Sequence, residues 1–155
     1  MEPARFRQLL GSFATGVAVV TARDPAGEPA GMTASAIASV SLEPPLLLVC
    51  IARSSDFHDV LAGAARFGLS VLADDQEALS RGFADEIPDR FAGVGWQPHA
   101  TGVPLLAGAV AHIVCARRSA VPGGDHTVFL GEVEDGATFD RAPLLHVRGA
   151  YRRLH

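Results

Sequence analysis

The chain reads as one mainly β domain, an antiparallel set of strands closed into a barrel with three short helices beside it. Three observations predict this. Short apolar and β-branched runs alternate with tight Gly, Pro and Asp turns. Few stretches carry helical spacing, and an antiparallel set of this size removes its exposed edges by closing. At 155 residues the chain can bury one core and is short for two, so residues 1–155 are read as a single domain.

The elements follow in order. Phe6, Leu9, Leu10 and Phe13 fall on one helical stripe, predicting a short helix that packs on a core and ends between Gly11 and Thr15. Gly16 to Ala22 reads as a strand, Asp24-Pro25-Ala26-Gly27 as a turn, and Gly31 to Val40 as a second strand that forms a hairpin with the first. Pro44-Pro45 breaks the chain before a buried strand from Leu46 to Ala52. Ser54-Ser55-Asp56 supplies N-cap residues for a helix from Phe57 to Ala64, and Phe67 to Ala73 is a strand. Asp74-Asp75-Gln76-Glu77 has the form of a capping box opening a helix through about Phe83, followed by a looser polar segment to Trp96. Strands from Ala109 to Arg118, Thr127 to Glu134 and Leu144 to Val147 complete the chain, the first two joined by a Gly123-Gly124-Asp125-His126 turn.

Composition removes several classes of chemistry. All thirteen basic residues are Arg, which excludes Schiff-base lysine catalysis and the Walker A lysine. Gly11-Ser12-Phe13-Ala14-Thr15-Gly16 is therefore no P-loop, and Pro98 stands where a fingerprint starting at Gly93 needs its third glycine. Cys50 and Cys115 each sit in an apolar run without a CxxC partner, so reduced core thiols are expected and no metal site. A net charge of −4 without a basic block argues against nucleic acid or an anionic membrane surface as partner. The apolar run Leu46–Ala52 is too short to span a membrane, and the Met1–Arg5 start lacks a signal-peptide core, so a cytoplasmic location is expected. Hydrophobic residues reach 48% against 19% charged, and this excess predicts apolar surface buried against another subunit.

Four clusters are candidates for function. Thr33-Ala34-Ser35 and Ser39-Val40-Ser41 alternate small and hydroxyl side chains. That pattern lets a flat ligand approach exposed backbone groups, or gives a strand one solvated Ser/Thr face. Arg53-Ser54-Ser55, directly after Ala52 and before a helix, suits a phosphate without Lys, or is ordinary capping with Arg53 in solvent. Phe83, Phe91 and Trp96 can cover a ring system or pack a core. Asp125 and His126, at the mouth of a strand, form either a plain hairpin or a ligand-facing pair. The remaining histidines are scattered, and His58 and His112 read as structural.

Taken in order, Phe13-Ala14-Thr15-Gly16-Val17, Met32-Thr33-Ala34-Ser35, Ser39-Val40-Ser41-Leu42-Glu43-Pro44-Pro45, Arg53-Ser54-Ser55, Asp89-Arg90-Phe91-Ala92-Gly93, Gly124-Asp125-His126 and Gly149-Ala150-Tyr151-Arg152 resemble the flavin reductase-like family of split barrels that bind FMN. The resemblance spans about Phe6 to Arg152. It implies an antiparallel Greek-key split β-barrel forming a homodimer, with NAD(P)H-dependent reduction of FMN or FAD for a partner flavin-dependent monooxygenase. It further implies a flavin ring against Thr33-Ala34-Ser35 and a tail running toward Ala52-Arg53-Ser54-Ser55. Ser39, Val40 and Ser41 would line the ring or ribityl, and Phe91 would lie close by. His126, held by Asp125, would face the nicotinamide as the catalytic-side contact, with Tyr151 closing that side. Phe57 and Ala36 depart from the family, which often carries a Thr and a polar residue there.

Overall fold

The structure, a computed structural model, describes residues Met1–His155. Its elements are α1 (Pro3–Leu10), β1 (Thr15–Gly16), β2 (Ala18–Arg23), β3 (Pro29–Ala34), β4 (Ile37–Leu42), β5 (Pro45–Ala52), α2 (Asp56–Gly63), β6 (Arg66–Val71) and α3 (Glu77–Ala84). They continue with β7 (Trp96–Pro98), β8 (Pro104–Leu106), β9 (Ala111–Gly123), β10 (His126–Thr138), β11 (Leu145–Val147) and β12 (Ala150–Arg152). Seven strands make one antiparallel sheet ordered β3-β2-β6-β9-β10-β5-β4, while β1-β11-β12 and β7-β8 form small separate sheets. No helix is long and apolar enough to cross a membrane.

The connection between β3 and β4 decides the shape. These strands are the two outer edges of the seven-stranded sheet, yet only Ser35 and Ala36 lie between them. Three Cα steps reach at most about 11 Å, so the sheet must curl until its edges face each other. The edges do not pair, which leaves a barrel with a split. The continuous strand expected from Gly31 to Val40 is therefore two strands on opposite edges. Ala34, Ser35 and Ala36 are small enough to let the backbone turn there without a glycine, and apolar periodicity runs through the break unmarked.

Alternation along β2 divides the molecule into two cores. Val20 and Ala22 point into the barrel with Leu47, Val49, Ile51, Phe67, Leu69 and Phe129, while Val17 and Val19 face outward to Phe83, Phe91, Leu106 and Leu144. Helix α2 adds Phe57 and Leu61, exposed by 2% and 0%, to the inner core. Full burial of such side chains is worth about 1.5–3 kcal/mol each. The Ser54-Ser55-Asp56 signal resolves into a cap on Ser55, whose Oγ accepts the Phe57 N–H at 3.2 Å. The expected capping box at Asp74–Glu77 does not form. Helix α3 begins at Glu77 behind an uncapped Gln76, whose Oε1 instead accepts the Ala73 N–H, and Asp75 pairs with Arg141. The first helix also departs from expectation, because none of its residues is buried and Phe6, Leu9, Leu10 and the following Phe13 stay exposed.

Two positions report on how tightly the barrel is filled. A Cβ at Gly131 would stand 2.5 Å from the Phe67 ring and 2.8 Å from Cys115 Cβ. Gly131→Ala is therefore expected to destabilise the fold by about 1–3 kcal/mol through overpacking, read as a lowered denaturation midpoint with an unchanged slope. Burial raises the Cys115 thiol to about 12. Because the unfolded thiol ionises near its ordinary value of about 8.5, this contribution is full below that pH and is lost progressively as pH rises toward the folded value of about 12. In a Cys50→Ala background, Cys115 should resist a disulfide reagent at pH 8 until denaturant is added.

Candidate functional site

Backbone pairing brings three distant segments to one end of the barrel. Ala52, the last residue of β5, pairs with His126, the first of β10. Just beyond it, the Arg53 N–H donates to the Asp125 carbonyl at 3.0 Å. The Ala36 carbonyl accepts the Cys50 N–H at 3.0 Å, which fixes the Ser35-Ala36 link beside the same stretch of β5. Gly124 has φ +69 while Asp125 stays at negative φ, the pattern of a type II′ hairpin turn that suits the twist of β9 and β10. The turn thus delivers Asp125 and His126 to the corner where Arg53 and Ser54 emerge.

The side chains at this corner differ in how free they are. The Arg53 and Ser54 side chains are exposed and meet no intramolecular partner, so a guanidinium and a hydroxyl stand open at the start of α2, the positive end of the helix dipole, which favours an anion. Ser55 is committed, since its hydroxyl also contacts Met32 Sδ at 3.2 Å. Phe57 is buried in the barrel and offers nothing to a ligand. His126 is half-exposed and its Nδ1–H donates to Asp125 Oδ1 at 2.7 Å, leaving Nε2 directed away from that contact. This hydrogen bond, with the nearby imidazole charge, holds the Asp125 carboxyl below the usual range. Ser35 and Ala36 are exposed, and Ala34 is buried in the barrel.

Other expected residues lie elsewhere. Thr33 faces away from the barrel and donates to the Ser80 carbonyl at 2.6 Å, while Ser80 shares a hydrogen bond with the Tyr151 hydroxyl at 2.7 Å. Tyr151 therefore belongs to the Thr33 side of the molecule in one chain, with Arg81 stacked 4.8 Å over its ring. Ser39 and Ser41 pair with Leu47 and Leu46 at the opposite end of β5, and Val40 is displaced from the ladder by a bulge between them. At about 3.4 Å per residue this places Ser41 roughly 20 Å of strand from Ala52. Phe91 is spent on the outer core, edge-on to Phe83 at 5.0 Å and to Trp96 at 5.8 Å. Its neighbour Arg90 is bound by the Asp85 and Gly31 carbonyls and by Asp56. His58 and His112 are structural, bonded to Thr127 and to the Leu106 carbonyl.

Sequence reading missed the role of Ser80, which ties β3, α3 and β12 together; no local pattern marks a residue whose partners are 47 and 71 positions away. It also missed a cavity of about 260 Å³ that joins Ser35 to Phe13 and Thr15. The hydrogen bond at the corner is testable by titration. Replacing His126 by Ala removes the donor, so the Asp125 carboxyl should rise from its lowered position toward the ordinary carboxylate range, followed by carbon NMR. The sign is that of a depressed carboxylate: the contact contributes above the ordinary carboxylate range and is lost as pH falls through the lowered value.

Known proteins can now be set beside this geometry. The profile of the flavin reductase like domain matches residues 10–155. A Rhizobium meliloti protein named "Probable flavin reductase" is 41% identical over 97% of this chain, which spans 48% of that relative's length. The reductase subunit HsaB of a flavin-dependent monooxygenase from Rhodococcus jostii is 39% identical over 97% of this chain and 77% of its own. Among solved structures, the Streptomyces globisporus NADH:FAD oxidoreductase in complex with NAD and FAD fragments superposes with a TM-score of 0.95 at 42% identity, covering 99% of this chain and 93% of that one. The split barrel, the ordered motifs and these matches agree, and the chain belongs to the flavin reductase like domain family.

Proposed function

We propose that this chain is an NAD(P)H-dependent flavin reductase that transfers a hydride from a nicotinamide to FMN or FAD, and that it supplies reduced flavin to a flavin-dependent monooxygenase. The observation that carries this reading is the convergence at one open corner of the Ser35-Ala36 link, the unpartnered Arg53 and Ser54, and the Asp125–His126 pair. The relatives named as a monooxygenase reductase subunit and as an NADH:FAD oxidoreductase support it.

The residues present fit such a ligand. Ser35 and Ala36 leave backbone accessible to a flat ring, and Arg53 with Ser54 offers charge-assisted donors to a phosphate. A flavin and a reduced nicotinamide carry the hydride chemistry themselves. The protein's part is to bind, align and keep water out. In this reading Arg53 and Ser54 anchor the flavin tail, and His126 holds the nicotinamide side through Nε2 while Asp125 fixes its ring. The homodimer belongs to the same proposal: Phe6, Leu9, Leu10, Phe13, Val40 and Leu42 are apolar side chains left in solvent by a single chain, and they suit an interface with a second copy.

Mixing the protein anaerobically with FMN or FAD and excess NADH should bleach the flavin absorbance catalytically; flavin binding without bleaching would reduce the chain to a flavin-holding module. Arg53→Ala should weaken flavin binding about tenfold, the loss of one charge-assisted hydrogen bond. His126→Ala should retain flavin affinity and lower kcat/KM for the nicotinamide by ten- to a hundredfold. A wild-type value in that variant removes His126 from the role.

A further inference from the structure

The hairpin that carries Asp125 and His126 is supported unevenly. On one side β10 stays paired with β5 as far as His126 and Ala52. On the other side β9 parts from β6 at the Ala116–Arg66 pair, and the last tie there is the Arg117 N–H donating to the Ala65 carbonyl at 2.9 Å. From Arg118 to Gly123 the only strand beside β9 is β10, and Val121 is 48% exposed. Ladder bonds lie in the plane of the sheet, so they leave such a hairpin end free to rock about the strand axis. Loosely supported ends open first.

One side-chain contact opposes that rocking. Along β10, His126 and Val128 point to one face while Thr127 and the buried Phe129 point to the other. On that second face Thr127 Oγ1 lies 2.8 Å from Nε2 of His58, a residue in the first turn of α2. The imidazole is tilted against the Phe129 ring at 5.6 Å, and its Nδ1–H donates to Asp59 Oδ1 at 2.9 Å. Asp59 is 99% exposed, so the pair adds little to stability. What it does set is the tautomer: with Nδ1 protonated, Nε2 of the neutral ring accepts the Thr127 hydroxyl proton. The chain is thus tied to the start of α2 on both sides of His126, at the Asp125 carbonyl by the Arg53 N–H and at the Thr127 hydroxyl by His58.

We propose that His58 is a positioning residue for His126: its bond to Thr127 pins the start of β10 to α2 and so sets the direction in which His126 presents Nε2 at the corner. The inference rests on the reductase reading for what His126 meets. The pin itself can be observed without turnover.

Three variants test it. His58→Leu removes the acceptor, Thr127→Val keeps the shape of the side chain and removes the hydroxyl, and His58→Gln can still reach Thr127. Amide hydrogen exchange from Gly123 to Val128 should speed up about fivefold in the first two, the loss of one ordinary hydrogen bond, and stay at the wild-type rate in the Gln variant. In turnover the first two should lose about three- to tenfold in kcat/KM for NAD(P)H, with flavin affinity unchanged and the Gln variant restored. In a His126→Ala background, His58→Leu should cost nothing further, because both changes act through one side chain. Should His58→Leu fail to fold, Thr127→Val carries the same comparisons. A full loss that persists in the His126→Ala background overturns the proposal, since His58 then acts on the fold at large. Flavin affinity falling in step with kcat/KM also overturns it, and so does wild-type exchange and kcat/KM in both His58→Leu and Thr127→Val. Faster exchange in those two, restored by Gln, in a protein that never bleaches flavin keeps the pin and rejects the reductase reading.

Discussion

Closure of the sheet through a two-residue link is the constraint on which the rest of the structure depends. β3 and β4 are the far edges of a seven-stranded sheet, and Ser35-Ala36 is all that joins them. Once the edges are held within reach of that link, the interior must be filled by side chains from every strand between, which is what Val20, Leu47, Phe67 and Phe129 do. Closure also brings the end of β3 beside the end of β5, and pairing of β5 with β10 adds the Asp125–His126 turn. The candidate corner is thus a geometric consequence of shutting the barrel, and its side chains need only be small, polar and unclaimed.

How much of this was legible in sequence depends on whether the signal was local. The GGDH turn, the β2–β3 hairpin and the Ser55 cap are set by backbone preferences within a few residues, and they stand where glycine, aspartate and serine placed them. The break at Ser35-Ala36 left no mark, because small residues serve a continuous strand and a sharp crossing equally well. The Asp74–Glu77 box failed because the helix starts at Glu77 itself, whose carboxylate turns forward to Arg81 instead of back to Asp74. Phe91 was grouped with Phe83 and Trp96 from the residues alone, and of the two uses open to that set the structure shows core packing; Tyr151 came from family likeness, and its bond to Ser80 is one no spacing rule encodes.

An all-arginine complement of cations shapes the electrostatics. Guanidinium groups bind carbonyl oxygens in a fixed fork, and Arg23, Arg90 and Arg117 each stitch a loop to a strand or helix end that way. Others meet carboxylates on the exposed surface, where screening makes each pair worth little to stability. Against that background an arginine with no partner is conspicuous, and Arg53 stands that way at the corner beside Ser35.

Hydride transfer between stacked rings needs a face shielded from water, and a single chain does not provide one. Ser35, Ala36, Arg53 and Ser54 are open to solvent, while the barrel core lies behind them. The surfaces able to supply a cover are the apolar ones without an internal role: the stripe of α1 with Phe13 at 74% exposure, and Leu42 at 92% on the edge strand β4. In the proposed homodimer a two-fold interface presents the same patch from both chains, so one association event would shield both sites together. In that assembly the apolar residues a folded monomer leaves unpartnered would become the walls that keep the reacting face dry. On the proposed reading, the excess of hydrophobic residues in the sequence and the openness of the site in one chain have a common cause, since the catalytic unit is larger than the folding unit.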